Sequence, residues 1–107
     1  MPKGDWLGEF ELCVLLAVAK LGEDAYGVRV RQHLEAETGR AVTIGAVYTT
    51  LGRLEEKGLV RFHLTEPQPV AGGRARKIFA LSAEGRRALV YATTVLTRLI
   101  VGWRSRS

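Results

Sequence analysis

Four apolar helical patterns and two short alternating runs organise this chain of 107 residues. From Glu9 to Leu21, Phe10, Cys13, Val14, Leu16, Ala17, Val18 and Leu21 leave little polar face. A helix apolar nearly all round must be covered on more than one side. Gly22 closes it as a residue able to turn left-handed. Asp24 is the candidate N-cap of a second helix ending at Thr38-Gly39, with Tyr26, Val30 and Leu34 inward and Arg29, Arg31, Glu35 and Glu37 outward. Thr43 caps a third helix whose stripe is Ile44, Val47, Leu51 and Leu54, at spacings of three, four and three. Lys57-Gly58, a last-turn cation before a glycine, stops it.

Strand patterns follow. Leu59–Leu64 alternates, with Val60, Phe62 and Leu64 on one face and Leu59, Arg61 and His63 on the other. Pro67 and Pro69 take the chain out of the sheet, Gly72-Gly73 turns it back, and Ile78–Ser82 reads as the return strand. Ser82 then caps a last helix in which Leu89, Ala92, Leu96, Leu99 and Trp103 recur at three, four, three and four, widened by Val95 and Ile100. That is a coiled-coil-like seam. The order predicts a mainly α fold with a small β-hairpin. A winged helix-turn-helix spans 9–81, and a C-terminal dimerisation helix spans 82–105 of the same single domain. The first and last helices carry more apolar surface than one small core hides, so both are expected at a dimer interface. Phe10, Val14, Leu89, Ala92, Leu96, Leu99 and Trp103 are its candidates.

Charge changes the picture by its placement. The net charge is +5. Residues 1–65 carry eight Lys/Arg against nine Asp/Glu, and residues 66–107 carry eight against two. Bases gathered in the hairpin and last helix point to a polyanion, and duplex DNA suits a helix beside a basic hairpin better than a membrane surface does. On the outward face of the third helix, Thr43, Thr49, Thr50 and Arg53 are candidates to enter a groove. Small and hydroxyl residues permit close approach there. Tyr48 and Lys57 are candidates for backbone phosphates. Arg74 and Arg76, two apart in an extended hairpin, project from one face and with Lys77 form the wing contact. The blander alternatives are a solvated helix face and an edge strand protected by charge.

Other chemistry is thin. Cys13 sits in an apolar run and reads as a core residue of a reducing compartment. The run Leu12–Ala19 is far short of the roughly 20 residues that span a bilayer. No basic leader precedes it, so a cytoplasmic protein is expected. His33 and His63 lack partners at metal spacing, and no nucleophile–base set or phosphate-cradling glycine loop can be assembled. No enzyme, metal or cofactor is expected.

Five stretches taken in order resemble the PadR-like transcriptional regulators in their short form with one C-terminal helix. They are the apolar first helix; Tyr26-Gly27; Ala46-Val47-Tyr48 with Leu51-Gly52-Arg53-Leu54-Glu55; Lys57-Gly58-Leu59-Val60; and Gly72-Gly73-Arg74-Ala75-Arg76-Lys77 leading to Phe79-Ala80-Leu81-Ser82 and Glu84-Gly85. The family often has a helix-shaping residue where this chain has Thr49, and an aromatic pair where it has Phe79-Ala80. The resemblance implies a homodimer that faces a pseudo-palindromic operator with two recognition helices and represses transcription until a small effector releases it. It also implies a flat aromatic ligand between tryptophans at the dimer centre, with Trp6 and Trp103 as candidates. The late position of Trp103 in its helix favours simple packing there. The alternative from another class is a winged-helix protein–protein adaptor without specific DNA binding.

Overall fold

A computed structural model describes residues 6–66 and 75–106. The chain runs α1 (Glu9–Leu21), a 3-10 turn (Gly22–Asp24), α2 (Gly27–Thr38), α3 (Ile44–Glu56), β1 (Val60–Leu64), β2 (Lys77–Leu81) and α4 (Ala83–Arg104). The mainly helical fold with one antiparallel hairpin and a C-terminal helix is the expected one. The strands pair Val60 with Leu81, Phe62 with Phe79 and Leu64 with Lys77.

The core gathers where α1, α2 and α3 meet. Val14, Leu15, Ala17 and Val18 of α1 pack with Val30 and Leu34 of α2 and with Val47, Leu51 and Leu54 of α3; Val60 and Phe79 of the hairpin close one side. Val14 is fully buried within its own chain, which removes it from the expected dimer surface. The reason is the composition of α1: between Glu11 and Lys20 every residue is apolar, so no polar marker tells which flank of that run meets its own core. Leu16, by contrast, is exposed and Phe10 half-buried.

Caps set the helix limits. The Thr43 hydroxyl accepts from the Ala46 N–H at 3.1 Å and the Ser82 hydroxyl from the Gly85 N–H at 2.9 Å, as the sequence predicts for both. Gly39 and Gly58 turn left-handed after α2 and α3, at φ of 70° and 74°. Asp24 does not cap α2, because it lies inside the 3-10 turn and the helix begins three residues later, after Tyr26. The extended residue between them lets the Ala25 carbonyl accept from the Phe79 N–H at 2.8 Å, tying the chain before α2 to β2.

The root of α4 is fastened to the start of the hairpin. The Ser82 N–H donates to the Leu59 carbonyl at 3.0 Å, and the Ser82 hydroxyl donates to the Gly58 carbonyl at 2.6 Å. Gly85 completes this junction. A Cβ there would lie 1.9 Å from the Leu59 carbonyl oxygen, so only glycine fits. Beyond Ala88 the helix runs out with most of its apolar positions uncovered, including Val90, Leu96, Leu99, Ile100 and Val101.

Candidate nucleic-acid interface

The outward face of α3 is built by helical spacing. Val47, Leu51 and Leu54 are buried, which turns Gly45, Ala46, Thr49 and Arg53 to solvent. Thr43 at the N-cap is exposed as well. Thr50 is not part of that face. It is only 5% exposed and packs with the core stripe. At about 100° per residue it stands roughly 60° from Val47 and closer still to Leu54, inside the buried arc. The hydroxyl invites a polar assignment, but the helix geometry decides.

Tyr48 sits at the border of the two faces, 48% exposed. Its ring lies against α2 at Gly27: a Cβ on Gly27 would come within 2.4 Å of Cζ and 2.5 Å of the hydroxyl oxygen. The glycine is the seat of the ring.

Lys57 has a different employment from the phosphate contact expected of it. Its ammonium lies 3.0 Å from Oε2 of Glu11 and 3.2 Å from Oε1, bridging the end of α3 to the start of α1. Burial pushes the Glu11 carboxyl up, but the Gly8 N–H, the Lys57 ammonium and the field of Arg53 outweigh it and hold the group below its usual range. A lysine held by its own carboxylate makes a poor phosphate ligand.

On the hairpin, Arg74 and the Gly72-Gly73 turn lie outside the described residues. Arg76 is well placed. Its backbone exchanges bonds with Thr65, whose hydroxyl accepts from the Arg76 N–H at 2.8 Å while the Thr65 N–H donates to the Arg76 carbonyl at 2.9 Å. Its guanidinium lies over the Tyr26 ring, 4.4 Å from the centroid. Lys77 sits with its ammonium 3.9 Å from the centroid of Phe62, whose ring tilts against Phe79. Both are cation–π contacts.

The dipeptide Tyr26-Gly27 therefore touches both halves of the surface: Tyr26 carries Arg76 of the hairpin, and Gly27 seats Tyr48 of α3. Sequence reasoning assigned Tyr26 to the inner row of α2 and gave it no role at this surface. The available signal was a large aromatic directly before a glycine at a helix start. Trp6 and Trp103, the candidates for an aromatic ligand, are 78% and 66% exposed, so their own chain encloses neither. A separate groove of about 360 Å³ opens between the start of α1, the end of α2 and the start of α3, walled by Phe10, Cys13, Leu34 and Val42. Among the described residues no cluster of three His, Cys, Asp or Glu is arranged to hold a metal, and no helix is long and apolar enough to cross a membrane.

Comparison with known proteins agrees with this architecture. The family model described as "Transcriptional regulator PadR-like family" matches residues 15–90. The chain is 35% identical over 85 residues to "Transcriptional regulator Rv3488" of Mycobacterium tuberculosis, covering 77% of this chain and 75% of that protein. In three dimensions it resembles a PadR family transcription regulator from Clostridium difficile with a TM-score of 0.72, at 23% identity and with 92% and 97% of the two chains covered. It also resembles Bacillus subtilis PadR in complex with operator DNA, with a TM-score of 0.66 at 20% identity, over 78% of this chain and 46% of that one.

Proposed function

Since the chain belongs to the PadR-like family of transcriptional regulators, we propose that it is a homodimeric repressor that grips a pseudo-palindromic operator in duplex DNA and is released by a small aromatic effector. The observation that carries this reading is the linkage through Tyr26-Gly27. It joins Tyr48 at the border of the α3 row and Arg76 of the hairpin to consecutive residues, which supports a combined groove-plus-backbone contact. In this proposal Thr43, Thr49 and Arg53 enter the groove. Tyr48 bonds a phosphate, and Arg74, Arg76 and Lys77 form the wing. The related protein from Bacillus subtilis was solved with its operator, which supports the same use of the fold here.

The two-part organisation belongs to the proposal too: 9–81 reads DNA and 82–105 joins the subunits. Exposed Leu96, Leu99, Ile100 and Val101 of α4 favour a second copy as their cover, because a monomer gains nothing by leaving such a stripe in water. Phe10 and Leu16 replace the pair Phe10 and Val14 on the α1 side. Trp6 and Trp103 would meet an aromatic ligand only in a site completed by both subunits.

The test is a fluorescence-anisotropy titration with duplex from upstream of the protein's own gene and with a shuffled duplex, each at low and near-physiological salt. A preference of about 10³ or more that survives added salt is the expected result. Equal binding that collapses with salt would reduce the protein to an electrostatic DNA binder. No binding to either duplex would favour a protein–protein adaptor.

A further inference from the structure

Tyr26 is the half-buried N-cap residue of α2, and the Arg76 guanidinium lies over its ring. We propose that Tyr26 is a positioning residue for the wing: its ring holds the Arg76 guanidinium flat, so that the arginine meets a DNA phosphate without first being ordered. This rests on the DNA-binding reading above.

The geometry carries the argument. The Arg76 guanidinium carbon lies over the Tyr26 ring, 4.4 Å from its centroid, and a guanidinium that meets a ring with its flat face keeps its N–H donors in the plane, pointing outward from the edge. Stacking and phosphate binding therefore do not compete. Among the described residues no carboxylate forms an ion pair with Arg76. The backbone of Arg76 is already fixed by its two bonds to Thr65. The platform is fixed as well: the Tyr26 N–H donates to the Asp24 carbonyl at 2.9 Å, its carbonyl accepts from the Val30 N–H at 2.9 Å, and the adjacent Ala25 carbonyl takes the Phe79 N–H. An arginine held at both backbone and side chain has little rotamer freedom left to lose on binding. The contact would be general across sequences, because phosphates carry no base identity.

The experiment is a double-mutant cycle on the full chain, with a random-sequence duplex of about three helical turns as the probe. Affinity is measured across a salt series. Arg76→Ala should weaken binding and lower the salt slope by about 0.9, the signature of one lost phosphate contact. Tyr26→Leu should weaken binding about two- to five-fold, the scale of an exposed cation–π contact. In the Arg76→Ala background the same Tyr26→Leu change should have no further effect. Tyr26→Phe keeps the ring and should retain wild-type affinity. Its circular dichroism and melting curve, with those of Tyr26→Leu, report folding independently.

The outcomes separate cleanly. Equal losses from Tyr26→Leu in both backgrounds would mean a structural role and would overturn the proposal. A Tyr26→Phe variant as weak as Tyr26→Leu would transfer the effect to the hydroxyl and overturn it too. Unchanged affinity in Arg76→Ala would remove the wing arginine, and this proposal with it. A wild-type chain that binds no duplex would fail at the earlier step, the DNA-binding reading.

Discussion

Gly27→Ala should leave the protein folded and damage its binding to DNA. The added Cβ would come within 2.4–2.7 Å of Cζ, Cε1 and the hydroxyl oxygen of Tyr48, its three nearest neighbours. The ring is the end of a flexible, half-exposed side chain, so it can yield where backbone could not. Moving it uncovers one face of the ring, a loss of about 1 kcal/mol if half of a full aromatic burial is forfeited. Against that, alanine is favoured over glycine within a helix by about 0.5–1 kcal/mol, less at the first helical position. The two terms nearly cancel, and the melting temperature should move by no more than about 8 °C in either direction. Tyr48, displaced from its seat, loses the position from which its hydroxyl would reach a phosphate. One hydrogen bond of about 1 kcal/mol corresponds to roughly a five-fold weaker complex. Calorimetry and anisotropy on the same preparation check both halves. A melting temperature lowered by about 15 °C would show that the ring cannot leave. Unchanged affinity would show that Tyr48 takes no part in binding.

Gly85→Ala should behave in the opposite way, because its Cβ would meet the Leu59 carbonyl, which cannot swing aside. Forcing α4 off β1 strains both bonds that Ser82 makes to Gly58 and Leu59, and a loss of about 2–4 kcal/mol is expected in chemical denaturation. Stability should also fall in acid through Glu11. Its folded carboxyl lies below its unfolded value, so its contribution is full above the ordinary carboxylate range and is lost as pH falls through the folded value. Melting curves from about pH 6 down to pH 3 should show that loss in the wild type and a shallower slope in Glu11→Gln; parallel slopes would dismiss the Lys57 bridge as a stabilising contact. Replacing Leu96 and Leu99 together with Glu should give monomers in sedimentation while the circular dichroism of the first three helices persists. A well-behaved dimer would place the interface elsewhere.

The caps of α3 and α4, most helix limits and the strand order were legible because each rests on local chemistry, whereas Asp24, read as the cap of α2, lies in the 3-10 turn before it. A hydroxyl before an apolar stripe announced α3 and α4, and a cation followed by glycine announced the end of α3. Apart from Thr50, what failed did so where the deciding partner lies far along the chain. Thr50 looked like a surface residue because its hydroxyl outweighed its place on the helix wheel. Val14 could not be told from its neighbours, since burial on α1 is decided by α2 and α3. Lys57 was read without Glu11, forty-six positions away. Tyr26 was read as an inward residue of α2, since nothing local reveals that β2 returns beside it.

The close approach at Gly85 has a mechanical consequence. Helix α4 is 22 residues long, about 33 Å at 1.5 Å per residue, and its buried residues, Gly85 and Ala88, lie near its root, with Leu89 packed against the core beside them. It is a lever on a short bearing. A tilt of about 5° at that bearing displaces the far end by roughly 3 Å, close to the rise of one base pair. If the subunits join through their far ends, the angle at the bearing becomes the distance between two reading heads, and two such bearings contribute. The missing methyl at Gly85 would then set a tolerance: how far apart two half-sites can lie and still be gripped by the same pair of subunits.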